Sequence, residues 1–495
     1  MLDEPPRGEW TGVALRYEPP ACAHFETTGM VAPETIGAKA RRSVLVLASR
    51  FPPVASVGAI RVRKFVKYLP DFGWDPVVIT GAMRTARPGA HEARRAVDTE
   101  SLADVPASVP VHRLSPVPDN WPGFVTRSLA RTLARVTWPL GLCEASWSGM
   151  LKWRVQRVHD RLCFPDRGIW RLPSAVGAAL ALHRTHCFDA VFSSGMPFSD
   201  HLIAWVVSHL LRRPWIADFR DPWVEYIHWK QWQSGAGRML TRRCEAAVIR
   251  RAAHVISVND HMTARFTQRY RRATAGKFVT IANGFDPDDF AAPGEQAPGT
   301  HFRLLYAGSL YETRSPEWVL TAFRRFIHET PGSAAHARLD FAGRPGPYQS
   351  EMNRAEDGGT IRYLGLLPHR KAMAEMARAD ANLIILPDVP GSEADTTAKL
   401  YECLGCGRAV LATVPLAGSA AQELRGHGGV WLCAPRDVEA IRRAISEMYA
   451  LWLAGRLPAA RPGESLSTMT RRGQARRLAG LFDAAVGAGV KELTP

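Results

Sequence analysis

Short apolar runs alternate with segments of helical spacing twice along this chain, and a Pro/Gly-rich break at 291–299 separates the two series. In the first series, Ser43-Val-Leu-Val-Leu-Ala48 reads as a fully buried strand, Ile60 to Leu69 as a helix, and Asp75-Pro-Val-Val-Ile-Thr80 as a second strand. The rhythm returns with a strand at Asp189–Ser194, a helix at 199–211, a strand at Pro214–Asp218, a helix through Arg242 to Ala252 and a strand at His254–Ser257. The second series starts at Phe302–Ala307 and continues with strands at Arg338–Ala342, Ile361–Leu364, Ala381–Leu386, Ala409–Ala412 and Gly429–Leu432. Strands that are apolar throughout and separated by helices form parallel sheets covered on both faces. The expected fold class is therefore α/β, with two facing, doubly wound, Rossmann-like domains. Such folds bind ligands at the carboxyl ends of their strands, which places the site in an interdomain cleft. The expected boundaries are a flexible tail over 1–40, an N-terminal domain over 41–290, a C-terminal domain over 300–465, and a final helix over 466–495 that packs back on the N-terminal domain.

A chain of 495 residues exceeds what one hydrophobic core usually supports, which agrees with two domains. Its 46% hydrophobic and 22% charged residues are ordinary for a folded protein. The eight cysteines are scattered, so free thiols are expected. Cys403 and Cys406 have C-x-x-C spacing without a second ligand pair, which reads as two small residues in a helix. The longest apolar stretches, such as His201–Leu211, are about half of the roughly 20 residues a membrane-crossing helix needs. The opening residues carry Asp3, Glu4 and several prolines, with no apolar core of a secretory signal. A cytoplasmic protein is expected.

Net charge is +16, which implies attraction to an anionic partner: nucleic acid, an acidic bilayer or a phosphorylated substrate. One interval, about 120–170, interrupts the first domain. Between Arg127 and Arg161 it holds seven basic residues against Glu144 and Asp160, interleaved with Trp138, Trp147 and Trp153. Basic amphipathic helices with tryptophan suit an interfacial membrane contact, and a solvated face with a buried stripe is the alternative. No zinc-finger spacing, aromatic RNA-binding signature or compact helix-turn-helix supports a nucleic-acid partner. G-x-G-x-x-G after the first strand, the P-loop, H-E-x-x-H and G-x-S-x-G are all missing, which disfavours dinucleotide oxidoreductases, P-loop NTPases, zinc peptidases and serine hydrolases.

Six segments remain, most of them leaving a predicted strand. Phe51-Pro-Pro-Val-Ala-Ser-Val-Gly-Ala-Ile-Arg61 follows the first strand, and a glycine there permits close approach of backbone to a ligand, or simply shapes a turn. Phe192–His201 and Pro214-Trp-Ile-Ala-Asp-Phe-Arg-Asp-Pro-Trp223 each run from strand to loop, putting polar groups on the cleft side. His201, Asp218, Arg220 and Asp221 are candidates there for acceptor handling or proton management; an Arg-Asp pair bracing the loop is the alternative. Ile281-Ala-Asn-Gly-Phe-Asp286 reads as a hinge, Asn-Gly being a turn former through its tolerance of positive φ. Tyr306-Ala-Gly-Ser-Leu-Tyr-Glu-Thr-Arg-Ser-Pro316 presents a glycine turn with Arg314 close behind, suited to a diphosphate. In Thr397–Leu411, Lys399 and backbone N–H groups at a helix start suit phosphate oxygens, and Glu402 shares the helical face of Lys399.

Taken together, from roughly Arg42 to the C-terminus, these blocks resemble the GT-B fold glycosyltransferases of the large retaining family 4, of the bacterial exopolysaccharide and lipopolysaccharide type. The resemblance implies transfer, with net retention, of a hexose-type sugar from a nucleotide-diphosphate donor to a glycan or lipid-linked acceptor. It implies Gly58, Gly308, Ser309, Arg314, Lys399, Leu400 and Glu402 as donor-binding residues, with Glu402 on the ribose. Arg314 and Lys399 would neutralise the leaving diphosphate, with His201 and Asp218 as further catalytic groups and Arg61, Arg220 and Asp221 on the acceptor side. The family often has a second glutamate, but its position here is Ala394, so the flanking Glu393 and Asp395 are the candidates for the donor sugar. No cofactor and no metal are expected beyond the nucleotide-sugar co-substrate. The basic segment would dock the enzyme on the anionic inner face of the cytoplasmic membrane. A sugar-nucleotide epimerase of the same fold and a non-catalytic nucleotide-binding scaffold are the competing readings.

Overall fold

The computed structural model describes residues 41–54, 56–81, 98–114, 163–225, 235–273, 276–290, 300–357, 359–390, 392–460 and 466–491. The predicted tail and the tryptophan-bearing core of the basic segment lie outside these residues.

Two parallel sheets organise the chain. The first comprises β1 (Arg42–Leu47), β2 (Trp74–Thr80), β3 (Val111–Arg113), β4 (Ala190–Gly195), β5 (Trp215–Phe219), β6 (His254–Ser257) and β7 (Phe278–Thr280), in the order β3-β2-β1-β4-β5-β6-β7. The second comprises β8 (Phe302–Ala307), β9 (Ala337–Ala342), β10 (Ile361–Gly365), β11 (Ala381–Ile385), β12 (Ala409–Thr413) and β13 (Val430–Cys433), in the order β10-β9-β8-β11-β12-β13. Every pairing within them is parallel. The apolar runs are the central strands, whose residues are buried on both sides, as in β4 and β5.

Strand order reverses at β1/β4 and at β8/β11, the two positions where a crevice opens beyond the strand ends. Loops that leave β1, β4, β8 and β11 therefore line the cleft, and these loops contain most of the blocks singled out from the sequence.

The main helices are α1 (Val57–Tyr68), α2 (Leu172–His186), α3 (Ser199–Leu210), α4 (Gly235–Arg251), α5 (Asp260–Arg269), α6 (Glu317–Glu329), α7 (His369–Arg378), α8 (Ala398–Gly405), α9 (Val438–Leu453) and α10 (Arg471–Lys491). One face of the first sheet packs on α2, α3, α4 and α5 through residues such as Ala179, Ile203, Val248 and Phe266. Its other face packs on α1 and α10, through Val62 and Phe65 of α1 and Ala475, Leu478 and Phe482 of α10. The last helix of the chain thus completes the core of the first domain. Phe482 has no exposed surface, its ring lies 4.9 Å from Trp74 and 6.1 Å from Phe192, and Asp483 pairs with Arg42 at 2.8 Å. Truncating Phe482 leaves a cavity beside these two aromatic rings. Phe482→Ala is expected to cost about 3–5 kcal/mol of unfolding free energy, read by urea denaturation followed by tryptophan fluorescence.

Candidate active site

The N-terminal wall begins where Ser56 caps α1 by accepting from the Ala59 amide. Gly58 follows in the first turn. A Cβ there would lie 2.0 Å from Arg220 Nη1, so the glycine is what lets the guanidinium lie against the helix. Arg220 donates through Nε to Gly195 O at 2.8 Å and through Nη2 to Met196 O, which joins the loop after β5 to the loop after β4. Asp221 sits half-buried beside it, its charge favouring the guanidinium against the cost of burial.

One turn along α1, Arg61 is buried and grips Asp218 with Nε and Nη2 at 2.9–3.2 Å while donating to the carbonyls of Ile281 and Ala282, each at 2.8 Å. Ser194 Oγ donates to the same carboxylate at 2.7 Å. Burial alone would raise the Asp218 carboxyl; the Arg61 charge and hydrogen bonds outweigh it and hold the group below the usual range. His201 is also fully buried. Its Nδ1 shares a 2.8 Å hydrogen bond with Ser193 Oγ, which accepts from Trp215 Nε1 at 2.9 Å, and its ring stacks on Phe219. Loss of solvent drives the imidazole down to about 3, so it is neutral. Here the structure corrects the sequence reading. Arg61, Asp218 and His201 lie beneath the cleft floor with no accessible surface for an acceptor, and they act as braces.

On the C-terminal wall, the loop after β8 rests on the loop after β9. Gly343, at φ 136°, passes so close that a Cβ would lie 2.0 Å from Gly308 O. The Gly308 amide donates to Ala342 O at 2.8 Å, and Ser309 O accepts from Tyr306 Oη at 3.1 Å. These residues therefore shape the loop, and Gly308 has its N–H engaged in the sheet. Arg314 is half-buried with its guanidinium 5.4 Å above the Tyr311 ring.

Across the reversal point, Thr397 precedes α8. Lys399 Nζ and Glu402 Oε2 are 3.1 Å apart, the lysine about a third exposed and the glutamate almost wholly buried. Burial pushes the Glu402 carboxyl up, but Lys399, followed by His369 and Arg471, holds it below its ordinary value. Leu400 is a correction: its side chain is buried in the core and its amide donates to Thr397 O at 3.2 Å. Glu393 and Asp395 are exposed on the loop after β11.

The two walls meet through residues the sequence reading passed over. Asn259, the cap of α5, donates through Nδ2 to Ala394 O at 2.9 Å and Thr396 Oγ1 at 3.2 Å, fastening the first domain to the loop that holds Glu393 and Asp395. Lys64, without exposed surface, contacts Asp286 and Asp289 at 2.6 Å each and Asp104 at 2.8 Å. His369 at the start of α7 approaches Asp289 at 3.2 Å, and Arg370 approaches Asp104 at 3.5 Å. The only trace of this knot in the sequence is the run of basic residues Arg61, Arg63, Lys64 and Lys67 on a helix between two buried strands. The Asn283-Gly284 turn is corrected as well. Neither residue has positive φ, and Gly284 is needed because a Cβ would lie 2.1 Å from Met469 O.

Family models match both halves of the chain: one described as glycosyltransferase family 4 over residues 122–289, and one described as glycosyl transferases group 1 over residues 301–450. No curated protein matches the chain by sequence. Among solved structures, sucrose-phosphate synthase from Thermosynechococcus elongatus is similar, with a TM-score of 0.58 at 15% identity over 90% of this chain and 100% of that one. Anabaena HepE in complex with UDP-glucose has a TM-score of 0.50 at 14% identity, over 91% of this chain and 100% of that one. The trehalose 6-phosphate synthase from Burkholderia multivorans has the same TM-score and identity, over 92% and 100%. At such identities the likeness lies in the fold: two Rossmann-like domains in the GT-B arrangement.

The buried imidazole makes stability depend on pH. His201 is neutral in the folded chain down to about pH 3, whereas an unfolded histidine takes a proton near ~6.5. The folded state therefore keeps the full contribution above ~6.5 and loses it as pH falls from there toward 3. Unfolding free energy is expected to drop by about 2 kcal/mol from this group between pH 7 and 5. Urea titrations at the two pH values check this, and His201→Gln is expected to flatten the difference.

Proposed function

We infer that this chain, which belongs to the GT-B glycosyltransferases of family 4, transfers a hexose-type sugar from a nucleotide-diphosphate donor to a glycan or lipid-linked acceptor, with net retention. The observation that carries the reading is the Lys399–Glu402 pair in the first turns of α8, at the strand-order reversal of the second domain. A cation there meets the diphosphate at the end of a helix, and a carboxylate held ionised accepts from ribose hydroxyls. Similar chains support the donor class, since HepE was crystallised with UDP-glucose.

As the bond from sugar to diphosphate breaks, charge builds on the phosphate oxygens while the sugar becomes oxocarbenium-like. Arg314 and Lys399 stabilise that charge from fixed positions, and cations already in place need little reorganisation as the barrier is crossed. Arg314 is anchored by its stacking on Tyr311, and Lys399 by Glu402. Asn259 holds the loop with Glu393 and Asp395 against the first domain, which supports a role for these carboxylates at hydroxyls of the donor sugar. The half-buried Arg220 and Asp221, on the opposite wall, face the acceptor. With one arginine and one lysine charge on the leaving group, turnover is proposed to proceed without a metal. The basic segment between Arg127 and Arg161 is proposed to hold the enzyme on an anionic membrane surface, where a lipid-linked acceptor lies.

Incubation of the purified protein with UDP- and GDP-sugars is expected to release nucleoside diphosphate and, with acceptor, a glycoside of retained configuration. An epimerised donor, or binding without turnover, would sink the transferase reading. Arg314→Ala and Lys399→Ala are each expected to lower kcat/KM by about a hundredfold or more. Glu402→Ala is expected to act mainly through donor KM, and EDTA to change nothing.

A further inference from the structure

Among the described residues, eleven large apolar side chains are exposed, and six of them belong to three neighbouring helices on one face of the first sheet or to the turn before them. Trp170 lies in the turn before α2, Leu180 on α2, Trp205 and Leu210 on α3, and Met239 and Leu240 on α4, each between 38% and 51% exposed. These helices are neighbours on one face of the first sheet: α2 packs on α3, and α3 on α4, whose Arg251 donates to Ser208 O at 2.8 Å. Scattered singly, such residues would need no explanation; gathered on neighbouring helices of one sheet face, they call for one.

The charge on this face is one-sided. The acidic residues of the three helices are Asp200 and Glu245, and both are buried: Asp200 is bonded to Ser49, and Glu245 to the Val224 amide, Arg269 and Tyr270. The exposed positions instead carry Arg184 on α2 and Arg238, Arg242, Arg243 and Arg250 on α4. Around Met239 the α4 arginines line a recess of about 360 Å³. Outward tryptophan and leucine on helices whose exposed charges include arginines and no acid match a surface that is apolar beneath and anionic above.

We propose that the outward face of α2, α3 and α4 docks the first domain on an anionic lipid bilayer, Trp205 and Leu210 entering the headgroup boundary and the α4 arginines contacting lipid phosphates. This contact uses residues other than those of the Arg127–Arg161 segment and does not rest on glycosyl transfer. It leaves the strand-end cleft free, because the helices cover a face of the sheet while the cleft opens beyond the carboxyl ends of its strands.

The test is co-sedimentation of the full chain, without donor or acceptor, with phosphatidylcholine vesicles and with vesicles containing about one third phosphatidylglycerol. Binding is expected only to the anionic vesicles and to weaken with salt. Arg242→Glu with Arg243→Glu, and separately Trp205→Ala with Leu210→Ala, are each expected to weaken it about tenfold or more. Arg242→Lys with Arg243→Lys keeps the charge and is expected to retain binding, which separates charge loss from misfolding. Equal binding to neutral vesicles, or anionic binding unchanged in both weakening variants, overturns the inference. Reversal of Arg131, Arg135 and Arg157 reads the other segment: if that alone abolishes binding, the docking face proposed here is wrong while the membrane reading of the segment stands.

Discussion

A lysine with no exposed surface, shared by three carboxylates, ties the architecture together. Lys64 belongs to α1, Asp104 to the segment before β3, and Asp286 and Asp289 to the link between the two sheets. A buried ammonium group costs several kcal/mol in lost hydration, and one carboxylate rarely compensates for it. The second and third carboxylates, with His369 and Arg370 from the second domain and Lys67 and Tyr68 from α1, turn that cost into a directional constraint. Removing any partner leaves a charge stranded, so the link has little freedom to take another path. One turn earlier on the same helix, Arg61 binds Asp218 and the carbonyls of Ile281 and Ala282, which fixes the start of the same link against the end of β5.

Charges in this protein thus divide by solvent access. Those of Arg61, Arg63 and Lys64 on α1 are sealed and paired, and they set how the domains stand to one another. Arg314, Lys399 and Arg220 are only partly covered. A half-covered cation keeps some hydration and can exchange it for a phosphate or carboxylate oxygen at modest cost, which a sealed one cannot. That contrast moves Arg61, Asp218 and His201 out of the chemistry proposed for the cleft.

Much of the fold was legible because its central strands are buried on both faces and so are apolar at every position, a signal that needs no partner to be recognised. Two strands escaped notice, β3 and β7, both three residues long at the edges of the first sheet, too short for a pattern to develop. Within the site, Lys399 and Glu402 could be paired from sequence because three residues on a helix make neighbours. Arg61 and Asp218 stand 157 residues apart, and nothing local announces their contact. The same applies to Asn259 and Ala394, which meet only because the ends of β6 and β11 face each other.

Glycines show that a residue type can be required for a reason the sequence does not disclose. Sequence alone places Gly58 and Gly284 in a loop and a hinge, yet neither adopts positive φ. Each is small because something else occupies the place of a Cβ: the guanidinium of Arg220 at Gly58, and the backbone carbonyl of Met469 at Gly284. In the second case the neighbour comes from the C-terminal segment, whose Arg471 amide donates to Phe285 O as Phe285 donates to Met469 O. The chain returns from the second domain by pairing with the link that led into it, and only then enters α10 to close the first core. The hinge is therefore two-stranded, and a motion that opens the cleft must bend both strands together or break the hydrogen bonds between them.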